Sequence, residues 1–249
     1  MPGGRERTGL ARAISKMGYC SRTRAAELIA LGRVRLNGAV RRGAETPVRL
    51  GHDKIEVDGQ EIRPAEKAYW MMNKPRGVVT TASDEKGRET VYDYMGERGK
   101  WLAPVGRLDK ASEGLLLLTN DSEWAARVLD PAGHVGKTYH VQIAALADEG
   151  LLHSLRSGVR VANDFLRVTR VTELRRGERN SWLEIVLHEG KNRQIRRMLE
   201  ASGVEVLRVV RVAIGGLELG DLAKGESRKL SASEKAAVAE RPQVANDLR

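Results

Sequence analysis

Val105-Gly106-Arg107-Leu108-Asp109-Lys110-Ala111-Ser112-Glu113-Gly114 runs straight into Leu115-Leu116-Leu117-Leu118 and then Thr119-Asn120-Asp121. Four consecutive leucines between polar flanks fit a strand buried on both faces. Asp109 then stands on the loop entering that strand, at the edge of low-dielectric surroundings, where an active nucleophile or base would be held. By spacing alone it could equally be a turn residue or an ion-pair partner of Arg107 or Lys110.

Moving toward the N-terminus, the pattern changes. Leu10, Ala13, Ile14 and Met17 recur at helical spacing, Gly18 stops the run, and Ser21 is placed to cap a second helix carrying Ala25, Leu28 and Ile29 up to Gly32. The period then becomes two, with Val34 and Leu36 alternating with Arg33 and Arg35 before the hairpin signal Asn37-Gly38, followed by Ala39 and Val40. Ile55 and Val57 with Asp58-Gly59 and Ile62 give a further strand and turn. These elements predict a small helix-helix-sheet domain over residues 8–62, after a flexible tail at 1–7. Residues 1–49 hold eleven Lys or Arg against three Glu, so most of the net charge of +10 sits in this part of the chain. Arg22 and Arg24 open the second helix, where a bound phosphate would offset their repulsion from the helix dipole.

Composition sets the outer limits. In 249 residues, 41% hydrophobic and 31% charged, no apolar run approaches the roughly 20 residues that span a bilayer, and Met1 to Leu10 lacks the apolar core of a secretory signal. A cytoplasmic protein is expected. Cys20 is the only cysteine, and His52, His134, His140, His153 and His188 show no metal-binding spacing, so neither a disulfide nor a metal site is expected. The positive charge points to nucleic acid as partner.

Two more segments carry candidate chemistry. Lys137-Thr138-Tyr139-His140-Val141-Gln142-Ile143 alternates so that Tyr139, Val141 and Ile143 share one strand face. In His188-Glu189-Gly190-Lys191-Asn192-Arg193-Gln194-Ile195-Arg196-Arg197-Met198, Asn192 is placed to cap a helix with Ile195, Met198 and Leu199 inward. Arg193, Arg196, Arg197 and Glu200 fall on another face, which on pattern alone reads as solvated.

Cys20-Ser21-Arg22-Thr23-Arg24-Ala25-Ala26-Glu27-Leu28-Ile29, with Gly32-Arg33-Val34-Arg35-Leu36-Asn37-Gly38, resembles the S4 RNA-binding domain. The Gly106-Arg107-Leu108-Asp109 segment, the Lys-x-Tyr-x-Val of Lys137 to Val141 and the Asn192 to Met198 run resemble the pseudouridine synthases of the RsuA/RluB type, nearer to the members acting on large-subunit rRNA. Trp70 to Gly77 and Arg211 to Gly216 resemble further segments of the same family, so the likeness spans residues 10 to about 234.

The resemblance implies an α+β chain: the small RNA-binding domain, a linker at 63–67, a pseudouridine synthase domain at 68–234 with a mixed, mainly antiparallel sheet, and a C-terminal tail at 235–249. It implies a cofactor-free, metal-free enzyme, working as a monomer, that isomerises a flipped-out uridine of structured ribosomal RNA. Asp109 would be the catalytic carboxylate, Arg196 its ion-pair partner and Tyr139 the ring stacked on the target base. Arg107 would fill the gap left by the extruded nucleotide. Lys137, Arg193, Arg197, Arg208 and Arg211 would contact RNA together with Arg22, Arg24, Arg33 and Arg35. Small-subunit rRNA as substrate and a non-catalytic ribosome-assembly factor are the competing expectations.

Overall fold

A computed structural model of the chain describes residues 7–82, 84–96 and 101–239. The expected tails at 1–7 and 235–249 fall largely outside them. The chain divides into two compact units.

The first unit comprises residues 7–69 with short pieces at 101–103 and 118–123. Its elements are β1 (Thr8–Gly9), α1 (Leu10–Lys16), α2 (Arg22–Ala30), β2 (Val34–Leu36), β3 (Ala39–Val40), β4 (Pro47–Val48), β5 (Ile55–Val57) and β6 (Gln60–Glu61). The local signals act as expected. Gly18 adopts a positive φ of 75° after α1, and the Ser21 side chain accepts from Arg24 N at the start of α2. Asn37 and Gly38 both take positive φ in the turn between β2 and β3, the backbone that a two-residue hairpin requires. Leu10, Ile14, Ile29, Val34 and Ile55 pack into a common core, each worth about 1.5–3 kcal/mol of burial. The sheet runs β3-β2-β5-β6, and β1 pairs with β4 separately.

Residues 63–67 have no regular structure, yet they are tied down. Ala65 N donates to Met17 O at 2.8 Å, and Asn120 Nδ2 donates to Glu66 O at 2.9 Å.

The second unit is built on a nine-stranded sheet whose main path runs β13-β14-β10-β15-β9-β7-β17. Its elements are β7 (Tyr69–Lys74), β8 (Ala103–Pro104), β9 (Glu113–Thr119), α3 (Ser122–Leu129), β10 (Lys137–Ile143), α4 (Glu149–Ser157), β11 (Val159–Val161), β12 (Asp164–Leu166), β13 (Arg170–Arg176), β14 (Ser181–Leu187), α5 (Gln194–Ala201), β15 (Val206–Ile214), β16 (Leu217–Glu218), β17 (Ser227–Lys229) and α6 (Ala232–Ala237). Pairing is antiparallel from β13 to β15, whereas β15 lies parallel to β9. The sheet is thus mixed and mainly antiparallel. Every residue of β9 is buried, as the leucine run predicts. Val141 and Ile143 of β10 pack with Ile195, Met198 and Leu199 of α5 in one core.

The expected C-terminal tail begins too early at 235. Ser231 and Glu234 form a reciprocal capping box, and α6 continues through Ala237. Among the described residues no helix is long and apolar enough to cross a membrane.

Candidate active site

The loop before β9 is held at successive carbonyls. Thr80 Oγ1 donates to Leu108 O at 2.8 Å, Gly77 N to Lys110 O at 2.7 Å, and Arg196 Nη2 to Ala111 O at 3.1 Å. Asp109 O accepts from Ser112 N at 2.9 Å and from Lys74 Nζ at 3.3 Å, and Ser112 O accepts from Lys74 Nζ at 2.8 Å. Five consecutive carbonyls, from Leu108 to Ser112, therefore have donors, and the loop is fixed by its surroundings rather than by its own sequence. The Asp109 side chain, in contrast, enters no ion pair among the described residues and stands partly exposed.

Lys74 was not legible as a site residue. It lies at 0% relative exposure with its ammonium on three carbonyls, the third being Pro75 O at 2.9 Å. Burial lowers its pKa from 10.5 to about 8, against the opposing pull of the Asp109 and Glu113 charges.

Asp109, Tyr139 and Arg196 line one cavity of about 710 Å³, together with Arg107, Lys137, Arg193 and Arg211. Tyr139 reaches it from β10, on the face shared with Val141 and Ile143. Its register partner across the adjoining strand is Arg211, which is 5% exposed. Arg211 Nε donates to Leu115 O at 2.7 Å while Nη2 has no partner. Gly114, opposite Arg211 in the parallel β9–β15 pair, has φ 104°. A Cβ there would meet Arg211 N at 2.8 Å and its carbonyl oxygen closer still. Only glycine permits the two strands to approach this nearly.

Arg196 does not lie on the solvated face that its pattern alone suggests. It is 8% exposed, with Nη1 donating to Val206 O at 3.2 Å and Nη2 to Ala111 O. It makes no ion pair with Asp109, contrary to expectation. Two backbone carbonyls claim its terminal nitrogens, and its Nε is buried without a partner. Desolvation depresses its pKa, Arg193 and Arg76 add to this, and the negative charge of Asp109 opposes it. Asn192 does not cap α5. Arg193 occupies the cap position in the left-handed region at φ 49°, with no side-chain bond. Gln194 braces the turn instead, donating to Arg167 O at 3.0 Å and to Glu189 Oε1 at 2.8 Å.

Two expected RNA contacts are not on the cavity wall. Arg197 pairs with Asp164 at 2.7 Å. Arg208 pairs with Glu113, which also takes Lys224 at 2.9 Å. Burial works against ionisation of Glu113, but the hydrogen bonds from Arg208 and Lys224 outweigh it and hold the carboxyl below its usual range. Arg22, Arg24, Arg33 and Arg35 are exposed in the first unit, Arg24 paired with Glu27 at 2.9 Å and Arg33 with Asp58 at 2.5 Å. Among the described residues no cluster of three or more His, Cys, Asp or Glu is arranged to hold a metal.

A mixed sheet presenting a rigid aspartate loop, a tyrosine and buried cations in one cavity, with a basic helical module on the same chain, describes an enzyme acting on RNA. Residues 68–201 match the RNA pseudouridylate synthase family and residues 8–55 the S4 domain. The chain is 37% identical over 228 residues to the ribosomal large subunit pseudouridine synthase B of Bacillus subtilis, covering 90% of this chain and 93% of that protein. An RNA pseudouridine synthase of Mycobacterium leprae is 36% identical, with 90% of each chain covered. A crystal structure of a pseudouridylate synthase superposes with a TM-score of 0.65 at 28% identity, covering 93% of this chain and 99% of that one. The chain belongs to the RNA pseudouridylate synthase family and is an isomerase, which sets aside the non-catalytic alternative.

Proposed function

We infer that this protein converts a uridine of large-subunit ribosomal RNA to pseudouridine, with Asp109 as the carboxylate acting at the anomeric carbon. The observation that carries this reading is the placement of Asp109, Tyr139 and Arg196 around one cation-lined cavity. The name of the Bacillus subtilis relative supports the large subunit over the small one.

Isomerisation breaks the bond between uracil and ribose, turns the ring and rejoins it through carbon five. This needs a carboxylate near the sugar, walls that retain the free base and an acceptor for the proton on carbon five. Asp109, on a loop braced at five carbonyls, meets the first need without reorganisation. Tyr139 offers a ring face to the base and a hydroxyl for proton transfer. Arg196 holds Ala111 O and places a positive charge near Asp109. The target base must leave its stack, at a cost of a few kcal/mol that is smallest in loops and bulges. Exposed Arg107 at the cavity would take its place. The S4 domain holds flanking RNA through phosphates. The same reading has the chain acting in the cytoplasm as a monomer, without metal or cofactor.

Asp109→Asn is expected to retain RNA affinity within about threefold and to lose at least about a thousandfold in turnover, an effect on the scale of a whole catalytic group. Pseudouridine mapping across both rRNAs, in cells with and without the protein, identifies the target. Turnover by Asp109→Asn, or a lost site in small-subunit rRNA alone, contradicts the corresponding half of the reading.

A further inference from the structure

The cavity is lined by six cations and two carboxylates. Three of the six cations, Arg196, Arg211 and Lys137, are buried, and with Arg196 standing near the charge of Asp109 it is the other two that need explaining. Arg211 and Lys137 are 5% and 8% exposed, on neighbouring strands, and neither has a carboxylate partner among the described residues. Lys137 Nζ reaches only His188 O, at 3.3 Å. Arg211 Nη2 has no acceptor. Burying a charge without a counter-ion costs several kcal/mol, so a folded chain that carries two side by side is prepared for an anion that arrives later. Burial depresses the pKa of Lys137, and the Arg211 charge adds to it.

We propose that Arg211 and Lys137 form a cationic floor that stabilises the uracil ring as the anion it becomes on detachment from the ribose. The inference rests on the reading of this cavity as the uridine site. When the C1′–N1 bond breaks, its electron pair stays on N1 and spreads to O2 and O4. The new bond then forms between C5 and C1′ with an electron pair of the ring. The C5 proton leaves and N1 takes one up, so the net change is isomerisation with no oxidant or reductant. Between the two bond changes the ring carries a negative charge with no covalent tether. Fixed cations in a low-dielectric pocket oppose that charge far better than water does, and they do so most strongly in the transition state.

Tyr139 and Arg211 are cross-strand partners, and Lys137 lies two residues from Tyr139 on the same face of β10. A ring lying on Tyr139 therefore meets the floor through its oxygen atoms. A phosphate group is the less suitable occupant, because the nucleic-acid backbone meets the exposed cations Arg107, Lys191 and Arg193 first.

The test compares Arg211→Gln and Lys137→Gln with the parent on RNA carrying either uridine or 5-fluorouridine at the target. Fluorine makes the detached base a better leaving group, so it needs less help. Loss of the intact target nucleoside, measured at saturating RNA in nuclease digests, gives the rate. Arg211→Gln is expected to slow uridine about 100-fold or more, with RNA affinity within about threefold. The deficit shrinks at least about tenfold on 5-fluorouridine, and Lys137→Gln shows the same pattern with smaller amplitude. Arg211→Lys, which keeps the charge, recovers about tenfold over Arg211→Gln.

Equal deficits on both targets overturn the floor, and so does a deficit confined to RNA affinity, which would mark a phosphate grip. If Arg211→Gln does not fold, the Lys137→Gln comparison decides by the same criterion. An active Asp109→Asn protein defeats the underlying site assignment. An inactive Asp109→Asn beside parent-like Arg211→Gln and Lys137→Gln defeats the floor alone.

Discussion

Arg33 directly precedes the short β2 and Arg211 lies within the longer β15, each next to valine in the sequence, yet their surroundings are opposite. Arg33 stands in water with a carboxylate, Asp58, against its guanidinium. Arg211 is buried with a carbonyl on one nitrogen and nothing on another. The contrast extends to their neighbours. Arg22, Arg24 and Arg35 are exposed, whereas Lys74, Lys137 and Arg196 are buried and bonded to backbone oxygens. Exposed cations suit a grip on phosphates that is weak per residue, additive and salt-sensitive. Buried ones cost folding energy and suit a single charge at a single place.

Three changes probe that division, beginning with the largest effect. Lys74→Met removes the ammonium that joins Asp109 O to Ser112 O. Turnover is expected to fall at least tenfold as the loop loosens, since small misplacements of reacting groups are expensive. Stability should change by less than about 2 kcal/mol, because three stranded carbonyls at about 1–3 kcal/mol each oppose the relief of a buried charge of comparable size. Active protein with badly reduced stability would make Lys74 merely structural.

The pH dependence adds a signed check. Lys74 titrates at about 8 in the folded chain and at 10.5 when exposed. Between those values the unfolded chain holds a proton that the folded one lacks, so this group adds stability as pH rises, on the order of 3 kcal/mol across the window, and nothing below it. Denaturant unfolding of the parent against Lys74→Met at pH 8 and pH 10 should show about 2 kcal/mol of that gain, in the parent alone. Parallel curves would refute it.

Gly114→Ala comes next. Its methyl must displace the Arg211 backbone, so a loss of about 3 kcal/mol in stability is expected together with reduced turnover. Thermal melting and a single-turnover assay read both, and a stable, active variant would show that the strands can part without consequence. The smallest effect belongs to the first unit. Replacing Arg22, Arg24, Arg33 and Arg35 by Ala should weaken RNA binding about tenfold at moderate salt and flatten the dependence of log affinity on log salt by about 3. Turnover at saturating RNA should stay within about threefold. An unchanged salt slope would remove these arginines from the RNA contact.

Much of the first unit was legible because its signals are local. Gly18, Ser21, Asn37-Gly38 and Asp58-Gly59 each act within a few residues and each does so in the fold. The pairing of Thr8 and Gly9 with Val48 and Pro47 has no such signal, since neither segment alternates or is long enough to show a period. In the second unit the burial of β9 could be read from its leucines. The burial of Lys74 and Arg196 could not, because it depends on which carbonyls other segments bring to them. Asp109 was ambiguous by spacing, and only the long signature around it distinguished it from a turn residue.

The close passage of β9 and β15 also bears on how the molecule comes to be. The Arg211 bond to Leu115 O joins residues 96 apart in sequence, and the strands it links are parallel, so no hairpin can draw them together. Non-local contacts of this kind are costly to close and slow to form. The pocket's deepest wall is therefore expected among the last parts of the protein to assemble, after the β13–β14 hairpin, whose two strands are adjacent in sequence, has formed. A chain emerging during synthesis would carry a finished S4 domain well before it carried a competent catalytic centre.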